Sequence, residues 1–355
     1  MSEQTKIEWC DSTFSPWTGC TKVSPACDHC YAESWSKRAG AKVGKWGQGA
    51  PRVRTTAAYW RQPMKWNARA DLFRQCGKCR WRGEIVVRAE PTPFECPSCS
   101  ASDWQRARRR VFCASLADWL DNEVPIEWLV DLLDLIRLTP NLDWLLLTKR
   151  IGNWRSRILA AISAKGGISQ ELATWLGDWI DGNPPANVWL GAMICNQAEA
   201  DRDIPKILAI PARVRFLSIE PMLGPIYLYD ASPIECDHER AIQCPETGVL
   251  QCSACENRTA FEHFEDRLHW VIVGGESGHG ARPVHPDWVR IVRDDCAAAG
   301  VPFLFKQWGE WGTQCADTGS NKPVFRQFPD FQTWVNKARS WVNGAYALIP
   351  TAGSF

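Results

Sequence analysis

The sequence predicts an α/β fold, a full or partial (β/α) barrel of the TIM type with two small zinc-ribbon-like insertions. Short apolar runs alternate with amphipathic segments of helical length, which is the pattern of a mostly parallel sheet. About seven such runs occur, and this number favours a barrel over a doubly wound sheet. Two segments with paired cysteines interrupt the alternation, and each is too short to have a core of its own.

The alternation places the individual elements. We expect strands at residues 6–9, 111–114, 144–147, 188–193, 214–219, 270–273 and 301–305. We expect helices at residues 31–38, 126–138, 152–164, 169–181, 200–209 and 286–299. Residues 40–61 are rich in Gly, Lys and Arg without a clear period, which predicts a surface loop.

The same pattern divides the chain into five parts. They are residues 1–75 with the first barrel strand, a cysteine loop and the first helix, residues 76–104 with a zinc-ribbon insertion, residues 105–230 with barrel elements, residues 231–267 with a second zinc-binding insertion, and residues 268–355 with the C-terminal part of the barrel. Only the two insertions depart from the strand–helix alternation.

Composition limits the classes of protein to which the chain can belong. A hydrophobic content of 45% over 355 residues is ample for a packed core. The formal net charge of +1 gives no general attraction to nucleic acid, so any basic surface must be local. We see no apolar run of membrane-spanning length and no signal peptide. Sixteen cysteines without a secretion signal indicate metal sites in a reducing compartment, so we expect a cytoplasmic protein without a membrane partner.

The most informative stretch lies early in the chain. Cys20, Cys27 and Cys30 have the spacing C-x6-C-x2-C, and no fourth cysteine follows closely. A closed structural zinc site uses four protein ligands, whereas close-set thiolates also bind iron–sulfur clusters. A 4Fe-4S cluster on three thiolates keeps one iron free for a substrate or cofactor. The alternative is a zinc site whose fourth ligand is His29 or a distant residue.

Two further groups of cysteines have the spacing of zinc ribbons. The first group forms two CxxC pairs that let four thiolates enclose one zinc ion, and its members are Cys76, Cys79, Cys96 and Cys99. The second group has three thiolates and one imidazole, and its expected members are Cys236, His238, Cys252 and Cys255. Cys244 is an alternative to His238 in that group.

Basic and aromatic residues flank the first ribbon. They are Arg80, Trp81 and Arg82 beside one cysteine pair, and Arg106, Arg108, Arg109 and Arg110 after the ribbon. Basic side chains can bind phosphates, and an aromatic ring can stack on an unpaired base. These residues therefore predict either contact with nucleic acid or a solvated charged face.

Polar residues follow most of the predicted strands. They are Ser115, Asp118, Thr148, Lys149, Arg150, Asn196, Gln197, Glu220, Glu276, Ser277, Lys306 and Gln307. The carboxyl ends of barrel strands share one face, so these side chains predict a common cleft. Gly274 and Gly275 allow close backbone approach to a ligand, and Glu276 can bind an ammonium group or a ribose hydroxyl.

Several motifs resemble those of the three-cysteine-motif bacteriophage protein family. They are KIEW at residues 6–9, GCTKVSPACDHCYAE at 19–33, LLLTKR at 145–150, FLSIEP at 216–221, VIVGGESG at 271–278 and FLFKQWGEW at 303–311. The similarity covers nearly the whole chain outside the two insertions. That family is in turn similar to radical S-adenosylmethionine (SAM) enzymes, which use a partial or full barrel with three cysteines on the first loop. Their usual spacing is C-x3-C-x2-C.

The resemblance implies a 4Fe-4S cluster on the three cysteines, SAM as the cofactor, an electron-donor protein and a phage-encoded partner. Candidate SAM-binding residues are His29, Tyr31, Ser115, Asp118, Gly274, Gly275, Glu276 and Ser277. Candidates for substrate contact or catalysis are Lys149, Arg150, Glu220 and Lys306. The phage context and the zinc ribbons together favour modification or repair of nucleic acid.

Two other classes of function remain open from the sequence. The chain could be a zinc-dependent nucleic-acid-binding protein without catalysis, or a barrel hydrolase with zinc at the three cysteines. Cluster-bearing protein would be brown after anaerobic purification, whereas either alternative would give a colourless protein. The sequence does not identify a substrate, a modified atom or an oligomeric state.

Overall fold

The computed structural model describes residue 5 and residues 7–85, 95–228, 241–243, 250–252 and 268–310. The strands in these residues are β1 (Ser12–Phe14), β2 (Trp17–Thr18), β3 (Val53–Arg54), β4 (Phe73–Cys76), β5 (Arg82–Glu84), β6 (Trp104–Arg106), β7 (Arg109–Cys113), β8 (Leu142–Thr148), β9 (Val188–Met193), β10 (Val214–Ile219), β11 (Ala241–Gln243), β12 (Leu250–Cys252), β13 (Trp270–Gly274) and β14 (Phe303–Gln307). The α-helices are α1 (Tyr31–Ala39), α2 (Ala57–Trp60), α3 (Gln62–Ala68), α4 (Ile126–Arg137), α5 (Trp154–Ile162), α6 (Gln170–Ile180), α7 (Gln197–Ala209) and α8 (Pro286–Ala298). None of these helices has the length and apolar character needed to cross a membrane.

The main sheet contains seven strands in the order β1-β7-β8-β9-β10-β13-β14. The pairings of β1 with β7, β7 with β8, β8 with β9 and β13 with β14 are parallel. Parallel neighbours need a crossover connection, which α4 provides between β7 and β8 and α7 provides between β9 and β10. The fold is therefore mixed α/β with a parallel sheet and flanking helices, in agreement with the sequence prediction.

Three small antiparallel sheets accompany the main sheet. Strand β2 pairs with β3, β11 pairs with β12, and β4 lies between β5 and β6. The third of these sheets contains the predicted first ribbon. We name the segment from β4 to β6 the ribbon module.

Most of the predicted elements are confirmed, and β9 and β10 occupy the predicted residues. The predicted first strand at residues 6–9 is wrong, because Glu8 and Trp9 lie in a turn and the first strand is β1. Trp9 is buried with its ring 4.6 Å from that of Phe112, so its apolar character reflects core packing. Apolar periodicity did not indicate the true first strand, because Ser12 and Thr13 are polar although both are buried.

The predicted surface loop at residues 40–61 is also wrong in part, since it contains β3 and α2. Helix α2 begins after Thr56, whose hydroxyl accepts a hydrogen bond from the N–H of Tyr59 at 3.3 Å. The Tyr59 ring stacks on Phe14 of β1 with 5.0 Å between the ring centroids. Long-range aromatic packing therefore orders a segment in which the sequence shows no period.

The chain divides into two compact units, each with its own core. The first unit is Met1–Met193 with Ile210–Phe216, and the second is Ile194–Ala209 with Leu217–Phe355. In the first unit, α4 buries apolar side chains at helical spacing: Leu129, Leu132, Leu133 and Ile136. In the second unit, β13 and α8 bury Val271, Ile272, Val273, Val289 and Val292.

Two glycines of the first unit provide a matched test of this packing. A Cβ atom at Gly191 in β9 would lie 2.3 Å from the Phe216 ring of β10, whereas a Cβ atom at Gly177 in α6 meets nothing within 4 Å. We expect Gly191→Ala to lower the free energy of unfolding by about 1–3 kcal/mol through overpacking. Gly177→Ala should raise it by about 0.5–1 kcal/mol, because alanine favours the helix. Urea denaturation measures both values, and equal effects would contradict the packing of β9 on β10.

Candidate functional site

The loop with the three predicted iron ligands follows β1 and β2. The backbone of Cys20 forms an isolated bridge with Trp46. A 3-10 helix, Pro25–Cys27, comes next, and the Ser24 hydroxyl caps it by accepting a hydrogen bond from the Ala26 N–H at 3.1 Å. Cys30 is the N-cap residue of α1, so it lies at the positive end of that helix.

The three cysteines of this loop differ in exposure. Cys27 is buried, whereas Cys20 and Cys30 are half-buried. His29 is half-buried and Tyr31 is 67% exposed, so both predicted cofactor contacts are accessible from solvent. We name the segment from Cys20 to Cys30 the cysteine loop.

The cysteine loop does not have the geometry of a site for a single metal ion. In the described part of the chain, the only group of three or more ligating side chains with atoms within 4.8 Å of one another is the ribbon quartet. Sulfur ligands of a single zinc ion must lie about 3.8 Å apart, since each Zn–S bond is about 2.3 Å. The thiols of Cys20, Cys27 and Cys30 do not form such a group, so the structure does not bring them to the spacing of a single-ion site.

Asp118, which follows β7 in the chain, contacts residues at the carboxyl end of β8. Its carboxylate accepts hydrogen bonds from the Thr148 hydroxyl at 2.7 Å and from the backbone N–H of Lys149 and Leu120, both at 2.9 Å. The guanidinium of Arg150 lies 3.2 Å from the same carboxylate. Asp118 is buried, so these donors replace the water that the carboxylate loses.

Arg150 extends this arrangement to the cysteine loop. Its Nη1 lies 3.4 Å from the Cys20 sulfur, and its Nη2 donates to the Thr21 carbonyl at 2.6 Å. Burial raises the pKa of the Cys20 thiol to about 11, and Asp118 acts in the same direction while Arg150 opposes both. Cys20 is therefore a neutral thiol at neutral pH.

A second buried arginine fixes the neighbouring backbone. Arg52 donates to Asp121 at 2.9 Å and to the Thr21 hydroxyl at 2.6 Å, and it lies 3.4 Å from Glu123. Glu123 accepts hydrogen bonds from the Thr21 hydroxyl at 2.9 Å and from the Gly49 N–H at 2.7 Å. We name Arg52, Arg150, Asp118, Asp121 and Glu123 the ionic network.

Sequence reasoning identified Asp118 and Arg150 but missed Arg52, Asp121 and Glu123. The sequence does contain a usable signal, because Asp118, Asp121 and Glu123 place three carboxylates within one six-residue stretch after β7. Of the other predicted residues in this unit, Ser115 bonds the Ser15 hydroxyl at 3.1 Å.

In the second unit, three predicted residues come together. Lys306 at the end of β14 forms an ion pair with Glu220 at 2.9 Å. Gly274 lies against the same carboxylate, because a Cβ atom there would be 2.5 Å from the Glu220 oxygen. Glycine is therefore required at this position for the carboxylate to approach the strand.

Glu276 and Ser277 have other partners within the second unit. Arg282 donates to the buried Glu276 carboxylate through its guanidinium at 2.6 and 2.8 Å and through its backbone N–H at 2.7 Å. The Ser277 hydroxyl accepts a hydrogen bond from Gln307 at 2.9 Å. Gly275 lies against the Trp308 carbonyl, only 2.0 Å from where a Cβ atom would stand. Sequence reasoning missed Arg282, which satisfies much of the hydrogen-bonding capacity of the Glu276 carboxylate.

Asn196 and Gln197, also in this unit, bond nearby backbone. Asn196 accepts a hydrogen bond from the Glu199 N–H at 3.0 Å near the start of α7. Gln197 accepts one from the Tyr227 N–H at 2.8 Å. Both side chains therefore have local structural contacts.

The four cysteines of the ribbon module form a potential metal-binding site that is compatible with zinc. The backbone N–H of Trp81 lowers the pKa of the Cys79 thiol to about 6. At Cys99 the N–H of Ala101 also lowers the pKa, but desolvation and the three neighbouring sulfurs outweigh it and raise the pKa to about 12. The close neighbouring sulfurs therefore disfavour simultaneous ionisation of all four thiols.

The arginines near the ribbon module do not form one open basic surface. Arg82 pairs with Asp11 at 3.0 Å, Arg108 pairs with Asp143 at 3.2 Å, and the buried Arg109 bonds Ser12 and Glu84. Arg110 lies over the Trp189 ring at 5.0 Å.

The remaining members of that predicted surface are more exposed. Arg80 is exposed, and the exposed Arg106 pairs with Asp71 at 2.8 Å. The Trp81 ring packs against Trp104 with 5.9 Å between the ring centroids. Arg82, Arg108, Arg109 and Arg110 therefore have partners within the chain, whereas Arg80 and Arg106 are exposed.

The second predicted zinc site lies mainly outside the described residues. Cys236, His238, Cys244 and Cys255 are all outside them. Cys252 ends β12, which pairs with β11 as an antiparallel hairpin.

Two aspartates test the contribution of the ionic network. Asp121 and its partner Arg52 have side chains 2% and 1% exposed, whereas Asp131 and its partner Arg54 are 48% and 35% exposed. We expect Asp121→Asn to cost about 3–5 kcal/mol of unfolding free energy, because it leaves a buried guanidinium poorly compensated. Asp131→Asn should cost about 0–1 kcal/mol. Chemical denaturation compares them, and a small loss for Asp121→Asn would show that the network is not a stabilising constraint.

Comparison with known proteins gives one match. No curated protein matches the chain, and no solved structure matches it. A family model described as "Protein of unknown function (DUF5131)" matches residues 4–338, which is most of the chain. The chain therefore belongs to the DUF5131 family.

Proposed function

We propose that this chain is a radical-SAM-type enzyme on a partial (β/α) barrel, with a 4Fe-4S cluster bound by Cys20, Cys27 and Cys30. One observation carries the proposal. Arg150 lies two residues after the end of β8, and its guanidinium is 3.4 Å from the Cys20 sulfur. The cysteine loop therefore lies at the carboxyl edge of parallel strands, where barrel enzymes carry their chemistry.

The residues of the cysteine loop fit such a cluster. Three thiolates leave one iron without a protein ligand, and SAM would bind there. Cys20 and Cys30 are half-buried, so a cofactor can reach the loop from solvent. When bound, the cluster would supply the electron that cleaves SAM, and this chemistry belongs to the cofactor.

Arg150 would orient and tune the site. Its Nη1 donates toward the Cys20 sulfur and also lies beside the Asp118 carboxylate, while its Nη2 donates to the Thr21 carbonyl. Hydrogen bonds to ligating sulfurs raise the reduction potential of iron–sulfur clusters. A fixed positive charge beside Cys20 would also favour the thiolate form that iron requires.

Residues of the second unit supply the other candidates. The Glu220–Lys306 pair remains our candidate for substrate contact, because both charges are partly exposed and follow strands of the main sheet. Glu276 and Ser277 remain candidates for binding SAM, and Arg282 fixes the position of the Glu276 carboxylate.

Substitution of the three cysteines tests the proposal. We expect Cys20→Ala, Cys27→Ala and Cys30→Ala to lose iron and acid-labile sulfide after anaerobic reconstitution, while zinc content stays at the wild-type value. Cys296→Ala is the matched control, because Cys296 is buried in α8 and should keep the iron. Thermal melts would confirm that each variant is folded.

Two results would reject the cluster. The first is a wild-type protein that stays colourless and holds only zinc after anaerobic reconstitution, which would favour the non-catalytic or hydrolase alternatives. The second is unchanged iron content in all three cysteine variants, which would place the cluster elsewhere.

A further inference from the structure

The four sulfurs of the ribbon module stand at the spacing of a tetrahedral metal site. The Cys76 and Cys99 sulfurs are 3.6 Å apart, as are the Cys79 and Cys96 sulfurs. A zinc ion with Zn–S bonds of about 2.3 Å needs sulfur separations of about 3.8 Å, whereas a disulfide needs about 2.05 Å. The spacing therefore fits coordination of one ion and excludes two disulfides.

The backbone around the two cysteine pairs has the same form twice. In the first pair, the Arg80 N–H bonds the Cys76 carbonyl at 3.0 Å, and the Cys76 N–H bonds the Trp81 carbonyl at 2.8 Å. In the second pair, the corresponding bonds from Ser100 to Cys96 and from Cys96 to Ala101 are both 2.8 Å.

The residue after each pair also adopts the same strained conformation. Arg80 has a φ of 65° and Ser100 a φ of 57°, although neither is glycine. This left-handed conformation is unfavourable for such residues and persists only where the surrounding structure requires it. Two independent segments therefore adopt one ligand-presenting turn and direct four thiols to one point.

The strands of the ribbon module bury few apolar side chains in the residues that the structure describes. Its strands β4, β5 and β6 contain only 4, 3 and 3 residues. Apart from the cysteines, Phe73 and Gly83 are its only buried strand residues. A sheet of this size has too small a core to be stable alone, and a structural metal commonly supplies the missing free energy.

The ribbon module in turn holds the first strand of the main sheet. Arg82 of β5 binds the Asp11 carboxylate in a bidentate manner, at 3.0 Å to each oxygen, and Asp11 also accepts a bond from the Arg110 N–H at 2.7 Å. Arg109 of β7 bonds both the Ser12 hydroxyl of β1 and the Glu84 carboxylate of β5. These contacts connect β5, β7 and the start of β1 through buried or half-buried charges.

We propose that Cys76, Cys79, Cys96 and Cys99 bind one zinc ion, and that this ion fixes the ribbon module as a clamp on β1. Four thiolates at tetrahedral spacing select zinc among the common structural metals. Loss of the ion would release β5 from its fixed position. The ion pair of Arg82 with Asp11 and that of Glu84 with Arg109 would then be lost. The clamp holds β1, the strand that precedes the cysteine loop in the chain. Its function does not require a cluster in that loop.

Metal analysis tests the first part of this proposal. We expect Cys76→Ser and Cys99→Ser to hold one equivalent of zinc fewer than the wild-type full chain. Cys296→Ser is the matched control, since Cys296 lies in α8 outside the ribbon module and its replacement should keep the zinc. Cobalt reconstitution of wild-type protein should give the intense visible bands of four-thiolate coordination. Iron in place of zinc, or unchanged zinc in both cysteine variants, would overturn the proposal.

Hydrogen exchange tests the second part. In Cys76→Ser, a peptide covering residues 11–15 should exchange at least tenfold faster than in wild type, while a peptide covering β9 should be unchanged. Charge removal by Arg82→Gln, which leaves the four cysteines intact, should accelerate the same peptide without loss of zinc. Unchanged exchange at residues 11–15 in both variants would reject the clamp. Both readouts concern the ribbon module and do not depend on a cluster in the cysteine loop, so failure here and failure of the cluster proposal are distinguishable.

Discussion

The burial of opposite charges behind the cysteine loop is the constraint on which the candidate site depends. An isolated buried guanidinium or carboxylate would cost several kcal/mol, so Arg52 and Arg150 can be buried only together with Asp121 and Asp118. Arg52 and Asp121 are 69 positions apart, and Arg150 and Cys20 are 130 apart. The ionic network therefore links the cysteine loop to the ends of β7 and β8 and holds Cys20 in one position.

Apolar periodicity predicted those parts of the fold that depend on local burial. Strands β9 and β10 are largely apolar, as expected of strands in a parallel sheet, and their bounds were predicted correctly. Strand β1 was misplaced because its buried Ser12 and Thr13 are polar and are stabilised by pairing with β7. No local pattern carries that information, since the pairing partner lies about a hundred residues away.

Prediction of the candidate site succeeded where ligand spacing along the chain was sufficient. The two CxxC pairs fix their own geometry, so the ribbon quartet could be identified from spacing alone. The arginines beside it could not be interpreted in this way, because a sequence does not distinguish Arg106 in solvent from Arg109 buried beside Trp66 and Phe73. Likewise, Glu276 has the expected polar character, but Arg282 already binds its carboxylate.

The central claim is that the cysteine loop holds a cluster with one iron open to SAM. The most direct measurement is electron paramagnetic resonance of the anaerobically reconstituted full chain, chemically reduced, with and without SAM. The account predicts the spectrum of a reduced 4Fe-4S cluster whose g values shift when SAM is added. A reduced protein without a cluster signal, or a signal that SAM leaves unchanged, would contradict it.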